Sequence, residues 1–184
     1  FAIVELAPIP FSDSFESGAL SSYWIASGKG PHRTIVTQQN GPADGDWHVT
    51  MDSASDGTLA RNELTMVVNV TGEEFLELKF QAKDFSDESD APPPSPFPGD
   101  TDYDGVAISV DGANWYEVKA LRSGVTSFYR EFSVSLTSAI AANGLPTSGV
   151  YRIRFNQFDD FGIDLDGIAI DDVRIDTTPN ISAP

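Results

Sequence analysis

From Leu64 the chain reads "LTMVVNV", and Leu64, Met66, Val68 and Val70 fall on every second position. Only an extended strand places alternate residues on one face, so this stretch must bury one side of a β-sheet. The same beat returns at Leu76, Leu78, Phe80 and Ala82, at Val106, Ile108 and Val110, and at Tyr151, Ile153 and Phe155. Phe128, Phe132, Val134 and Leu136 share a parity, with Arg130 among them either reaching past a sheet edge or meeting a buried carboxylate. Helical periodicity is confined to "SLTSAIAANGLP", where Ser135 or Thr137 caps one or two turns that stop at Gly144 and Pro146. The expected fold is therefore all-β: an antiparallel β-sandwich of jelly-roll type with at most one short helix near residues 137–143.

The last strand, "DGIAIDDVRI", changes parity midway. Ile168 and Ile170 share one face, Val173 and Ile175 the other. That shift predicts a β-bulge at Asp171 and Asp172, where two carboxylates are re-aimed.

Charge narrows the partners. The 184 residues carry 28 acidic and 11 basic side chains, a formal net of −17. Such a surface repels phosphate backbones and anionic lipid, so neither nucleic acid nor membrane insertion is expected. Nineteen of the acids are Asp, a residue suited to turns, hard-cation loops or a salt-adapted surface. Cys is absent, which removes thiol catalysis, thiolate metal sites and disulfides. The ends, residues 1–10 and 177–184, read as linkers around a single monomeric domain at 11–176 that neighbours other domains of a longer extracellular chain.

One long loop, Lys83 to Gly105, holds three consecutive prolines and six Asp residues. Within it "DTDYDG" fits an EF-hand pattern formally, with Asp100, Asp102 and Asp104 at the first three ligand positions and Asp111 at the twelfth. Residues 106–110, however, read as a strand that carries Asp111 roughly 20 Å from Gly105. Asp111 is instead the first residue of the hairpin turn "DGAN". Asp100, Asp102 and Asp104 remain a weaker cation set, against the simpler reading of a solvated acidic turn.

Catalytic patterns are missing. His32 and His48 stand in neither a G-x-S-x-G nor an H-E-x-x-H context, and no Glu pair occupies alternate positions of an inward strand. Glycan binding needs aromatic platforms beside planar polar groups. The candidates are Trp47, Tyr103 and Trp115 with Arg152, Arg154 and Asn156, and further Trp24, Tyr129 and Gln157. Each aromatic has core or edge packing as its alternative, and the polar face could equally be a solvated sheet surface or a grip for acidic polysaccharide.

The ordered set "SDSFESG", "GDWHVTMDS", "DGVAISVDGANWYEV" and "DGIAIDDVRI", spanning about residues 11–176, resembles MAM-like and carbohydrate-binding-module-like jelly rolls. Within that group it is similar to domains of large bacterial exoproteins of the planctomycete kind. MAM domains of eukaryotes carry cysteines that this chain lacks, so their adhesion role does not transfer. The resemblance implies one structural calcium where the first strand, an early loop and the last strand converge. It implies ligands at Glu16, at Asp46 or Asp44, at Asp52 and at Asp171, a set that carboxylate chemistry favours because calcium takes six to eight oxygens. The expected function is thus a non-catalytic, calcium-stabilised, secreted or cell-surface module that binds polysaccharide. The alternatives are a spacer or adhesion module and, third, a glycan-active enzyme.

Overall fold

The computed structural model describes residues 5–163 and 165–177. Among these described residues, twelve strands form two six-stranded antiparallel sheets, accompanied by one helix. The first sheet takes its strands in the order β10 (Arg130–Ser135), β6 (Glu77–Asp84), β12 (Ile168–Asp176), β4 (His48–Ser53) and β3 (His32–Thr37). A short β1 (Phe11–Asp13) also pairs with β12. The second sheet runs β2 (Trp24–Lys29), β5 (Ala60–Asn69), β11 (Val150–Asp159), β8 (Gly105–Ser109), β9 (Asn114–Ala120) and β7 (Phe97–Pro98). This is the β-sandwich that the alternation predicts.

Both sheets turn their alternating apolar residues inward. Leu64, Met66, Leu78, Phe80, Val106, Phe155, Ile168 and Ile170 are fully buried between them. Phe80 of one sheet meets Phe155 of the other edge-on at 5.0 Å between ring centres. Each such side chain contributes about 1.5–3 kcal/mol by leaving water. This main core does the work that disulfides do in smaller domains.

Strand β12 is the hinge of the first sheet. Its first half, Ile168–Ile170, lies against β4, and its second half, Val173–Ile175, lies against β1. Along β6 the register slips between Asp171 and Arg174, the bulge expected from the change of parity. Asp172 absorbs the slip at a positive φ of 48°.

Helix α1 (Leu136–Ala142) is capped by Ser135, whose Oγ accepts from the Ser138 N–H at 3.2 Å. It buries Leu136 and Ile140, one turn apart. Phe128 departs from expectation. It precedes β10 and is 78% exposed, because the strand starts only at Arg130 and nothing fixes the parity of the residues before it.

The expected linker at 1–10 is corrected in part. Ala7 is buried, donates its N–H to the Val67 carbonyl at 2.8 Å and forms a parallel bridge with Val68. Residues 1–4 and 178–184 of the expected linkers lie outside the described residues.

Candidate functional site

The outer face of the second sheet carries the residues expected to grip sugar. On β11, Arg152, Arg154 and Asn156 alternate with core residues, and Trp115 lies on neighbouring β9. The long acidic loop folds back over this face. Its residues Phe97 and Tyr103 pack on Ala107 and Trp115 as a second small core, with the Phe97 and Tyr103 rings 5.0 Å apart. Arg154 is sandwiched here, its guanidinium 3.9 Å from the Trp115 ring and its Nη1 donating to the Gly99 carbonyl at 2.8 Å. Asn156 Nδ2 donates to the Tyr103 carbonyl at 2.5 Å. Tyr103, Trp115, Arg154 and Asn156 are therefore buried, and the polar row that reads as a sugar grip is the seat of the chain's own loop. Arg152 stays half-buried against Gly112, and Trp47 is half-buried over Gly18. Trp24 and Gln157 are buried in the interior: Trp24 Nε1 donates to Asp13 at 2.9 Å, and Gln157 joins Asn62 to Asp87.

The acidic turn is likewise engaged. Asp102 pairs with Arg61 at 3.0 Å, and the same guanidinium bonds the Asp100 carbonyl. Asp104 is buried and accepts from the N–H groups of Phe158 and Asp90. Asp111 holds its hairpin by accepting from the N–H groups of Ala113 and Asn114, both at 2.8 Å. These contacts hold its carboxyl well below the usual carboxylate range. The Asp102 and Asp104 carboxylates hold different partners and Asp100 engages through its backbone carbonyl, so the EF-hand-like set is not gathered.

Glu16, Asp171 and the early loop do converge, but through amides. Glu16 accepts from the N–H groups of Asp46 and Trp47 at about 3 Å. Gly45 sits between them at φ 62°, where any Cβ would lie 2.4 Å from the Glu16 carboxyl carbon. Asp171 accepts from Ala43 at 2.9 Å and from Asp172 at 2.8 Å. Positive charge also arrives from within the chain, since Lys83 Nζ donates to the carbonyls of Asn40 and Gly41. Asp44 and Asp46 are exposed, and Asp52 is held by Arg33 and by the Ile163 N–H. Carboxylates filled by N–H donors, beside carbonyls already bound to an ammonium, do not fit the calcium expected here. Backbone amides thus clamp Glu16 and Asp171 to the early loop.

Two neighbours of this clamp titrate unusually. Burial pushes Asp171 up to about 6, against the pull of its N–H donors. Burial lowers His48 to about 4, with Lys83 adding to the effect, although the Gln39 carbonyl 2.7 Å from Nε2 favours the charged ring. Tyr129 closes the cluster, with its hydroxyl on His48 Nδ1 and its ring under the Lys83 ammonium at 4.7 Å.

An open groove of about 700 Å³ runs along β1 and β12. Tyr23, Pro8, Pro10, Asp172 and Arg174 line it, and Tyr23 is held edge-on by Phe11 at 5.8 Å. Sequence reasoning misses this trench because it is assembled from a segment read as linker and from the bulged end of the last strand.

No protein-family model matches the sequence, and no curated protein sequence matches it. Among solved structures it is similar to a family 61 carbohydrate-binding module in complex with β-1,4-galactotriose, with TM-score 0.55 and 17% identity over 90% of this chain and 94% of that one. It is also similar to the N-terminal tandem of family 22 modules from Paenibacillus barcinonensis Xyn10C, with TM-score 0.54 and 14% identity. There it covers 97% of this chain and 49% of the tandem. The K2 cleaved adhesin domain of Lys-gingipain gives TM-score 0.53 and 17% identity over 92% and 99% of the two chains. These likenesses are of fold: this chain has the β-sandwich architecture of carbohydrate-binding modules.

Proposed function

We propose that this chain is a non-catalytic carbohydrate-binding module of a secreted or cell-surface protein, and that its glycan lies in the groove along β1 and β12. The observation that carries the reading is the groove itself, in a sandwich whose solved neighbours include an oligosaccharide-bound module. Its size matches ordinary ligand sites, and it sets the Tyr23 and Phe11 rings and two prolines beside Arg174, the carboxylates of Asp13, Glu16 and Asp172, and several serines. Tyr23 offers a ring to stack on a sugar face, while Arg174 and Asp172 offer a donor and an acceptor to hydroxyl groups. With Arg154 buried and a net charge of −17, the surface repels polyanions, so the glycan is a neutral one.

Affinity electrophoresis and calorimetry against neutral polysaccharides test this. Tyr23→Ala and Arg174→Ala are each expected to weaken binding about tenfold, which is about 1.4 kcal/mol. Binding that survives both substitutions moves the site elsewhere. A blank panel favours a spacer or adhesion module, a second reading supported by the covered face of the second sheet.

A further inference from the structure

The turn between β11 and β12 crowds carboxylates whose backbone donors, Phe161 for Asp159 and Gly167 for Asp166, leave one buried oxygen bare. Glu88 of the long loop and Asp159, Asp160 and Asp166 of this turn each offer an oxygen within 4.8 Å of the others. Asp159 is 2% exposed and Asp166 3%. Asp159 Oδ1 accepts from the Phe161 N–H at 2.7 Å, but its Oδ2 is buried without any hydrogen-bond partner. The Asp166 carboxyl lies against both Asp159 and Glu88. Among the described residues no Lys, Arg or His forms an ion pair with any of the four. A buried carboxylate oxygen with neither donor nor counter-charge is costly, and three further carboxylates crowded against it raise the cost.

We propose that Glu88, Asp159, Asp160 and Asp166 bind one calcium-like divalent cation, which fastens the long loop to the β11–β12 turn. The spacing suits it: oxygens about 2.4 Å from a shared ion on opposite sides are about 4.8 Å apart. An all-oxygen set selects a hard cation over zinc or copper. The site also has a structural task, since the segment it anchors covers Trp115, Arg154 and Asn156. It is separate from the Glu16–Asp171 clamp and owes nothing to the glycan reading; a blank glycan panel leaves it untouched.

Calorimetric titration of the chain with calcium chloride, and with magnesium for comparison, tests the site. One calcium per chain is expected. Glu88→Gln and Asp160→Asn, both toward the surface and safe for folding, should each weaken it at least tenfold. Glu16→Gln and Asp171→Asn should leave it unchanged. The site is overturned if neither ion binds, if calcium affinity ignores Glu88→Gln and Asp160→Asn alike, or if it is lost with Asp171→Asn. Protease digestion reads the fastening: cleavage between residues 85 and 96 should be faster in chelator than in calcium. Equal rates in a chain that binds calcium would overturn that role.

Discussion

Two sets of carboxylates meet their surroundings in opposite ways. Exposed Glu16 and buried Asp171 accept from backbone N–H groups of the early loop, and Asp172 adds a further N–H to Asp171. Asp159 and Asp166 face each other and Glu88, with one oxygen left bare. Sequence composition treats all of these as acids in turns. What separates them is the company each keeps: Glu16 and Asp171 are met by backbone N–H groups, which Gly45 at positive φ helps turn toward Glu16, whereas Asp159 and Asp166 take one N–H each, from Phe161 and Gly167, and otherwise meet carboxyls. A carboxylate met by amides is finished by the fold; one met by carboxylates needs an ion from outside.

The sharpest way to break this contrast is to remove calcium. At free calcium about 100 times the dissociation constant, a site on the folded chain alone adds about 2.7 kcal/mol. For a domain of this size that is about 5–11 °C between melting curves in calcium and in chelator. Asp159→Asn should erase the shift. Identical wild-type curves would mean that both sets are closed by the chain itself.

Cutting the amide clamp comes next. Asp171→Ala leaves the Ala43 and Asp172 N–H groups without their carboxylate acceptor and should cost about 1 kcal/mol, with the calcium shift intact. If the variant loses the shift instead, the clamp is the cation site after all.

Acid sharpens the comparison within the clamp. Asp171 has a folded value of about 6 against 3.8 normally, so its stabilising protonation is complete below about pH 4 and lost as pH rises through about 6. His48 has a folded value of about 4 against 6.5, so its contribution is full above pH 6.5 and lost as pH falls through about 4. The two oppose each other in that window. Asp171→Asn should therefore lose stability more steeply than wild type on going from pH 6.5 to 4, and His48→Gln less steeply. Parallel melting-temperature profiles for the three proteins would remove both assignments. Smallest of all is Asp111→Ala, which loosens an exposed hairpin turn and should leave the calcium shift unchanged in the same melting assay.

The strands were legible in the sequence because one buried face writes itself as alternation, and the β12 bulge because Ile170 and Val173 break that alternation. The capped helix was legible from Ser135 and Gly144. The outward rows were legible only by parity. Alternation says that Arg154 and Asn156 leave the core, but not that Phe97 and Tyr103 return from fifty residues away to cover them. The convergence of Glu16 and Asp171 came from resemblance, whereas their partners depend on loop dihedrals that no local pattern fixes. In "FDDFGIDLDG" the acids look like ordinary turn residues. Their burial arises from the long loop above them, a tertiary event.

The N-terminal segment is a seam across both sheets: Ala7 is bonded to β5 of one, and Phe11–Asp13 to β12 of the other. Phe11 pairs with Ile175 and Asp13 with Val173, so the two strands run antiparallel and both lead out of the fold at the same end of the pair. Tension drawn through residues 7 and 176 in opposite directions therefore peels this pair rung by rung, rather than shearing all its hydrogen bonds at once. The sandwich is mechanically soft along that line and stiff along the ten-residue ladder of β5 with β11.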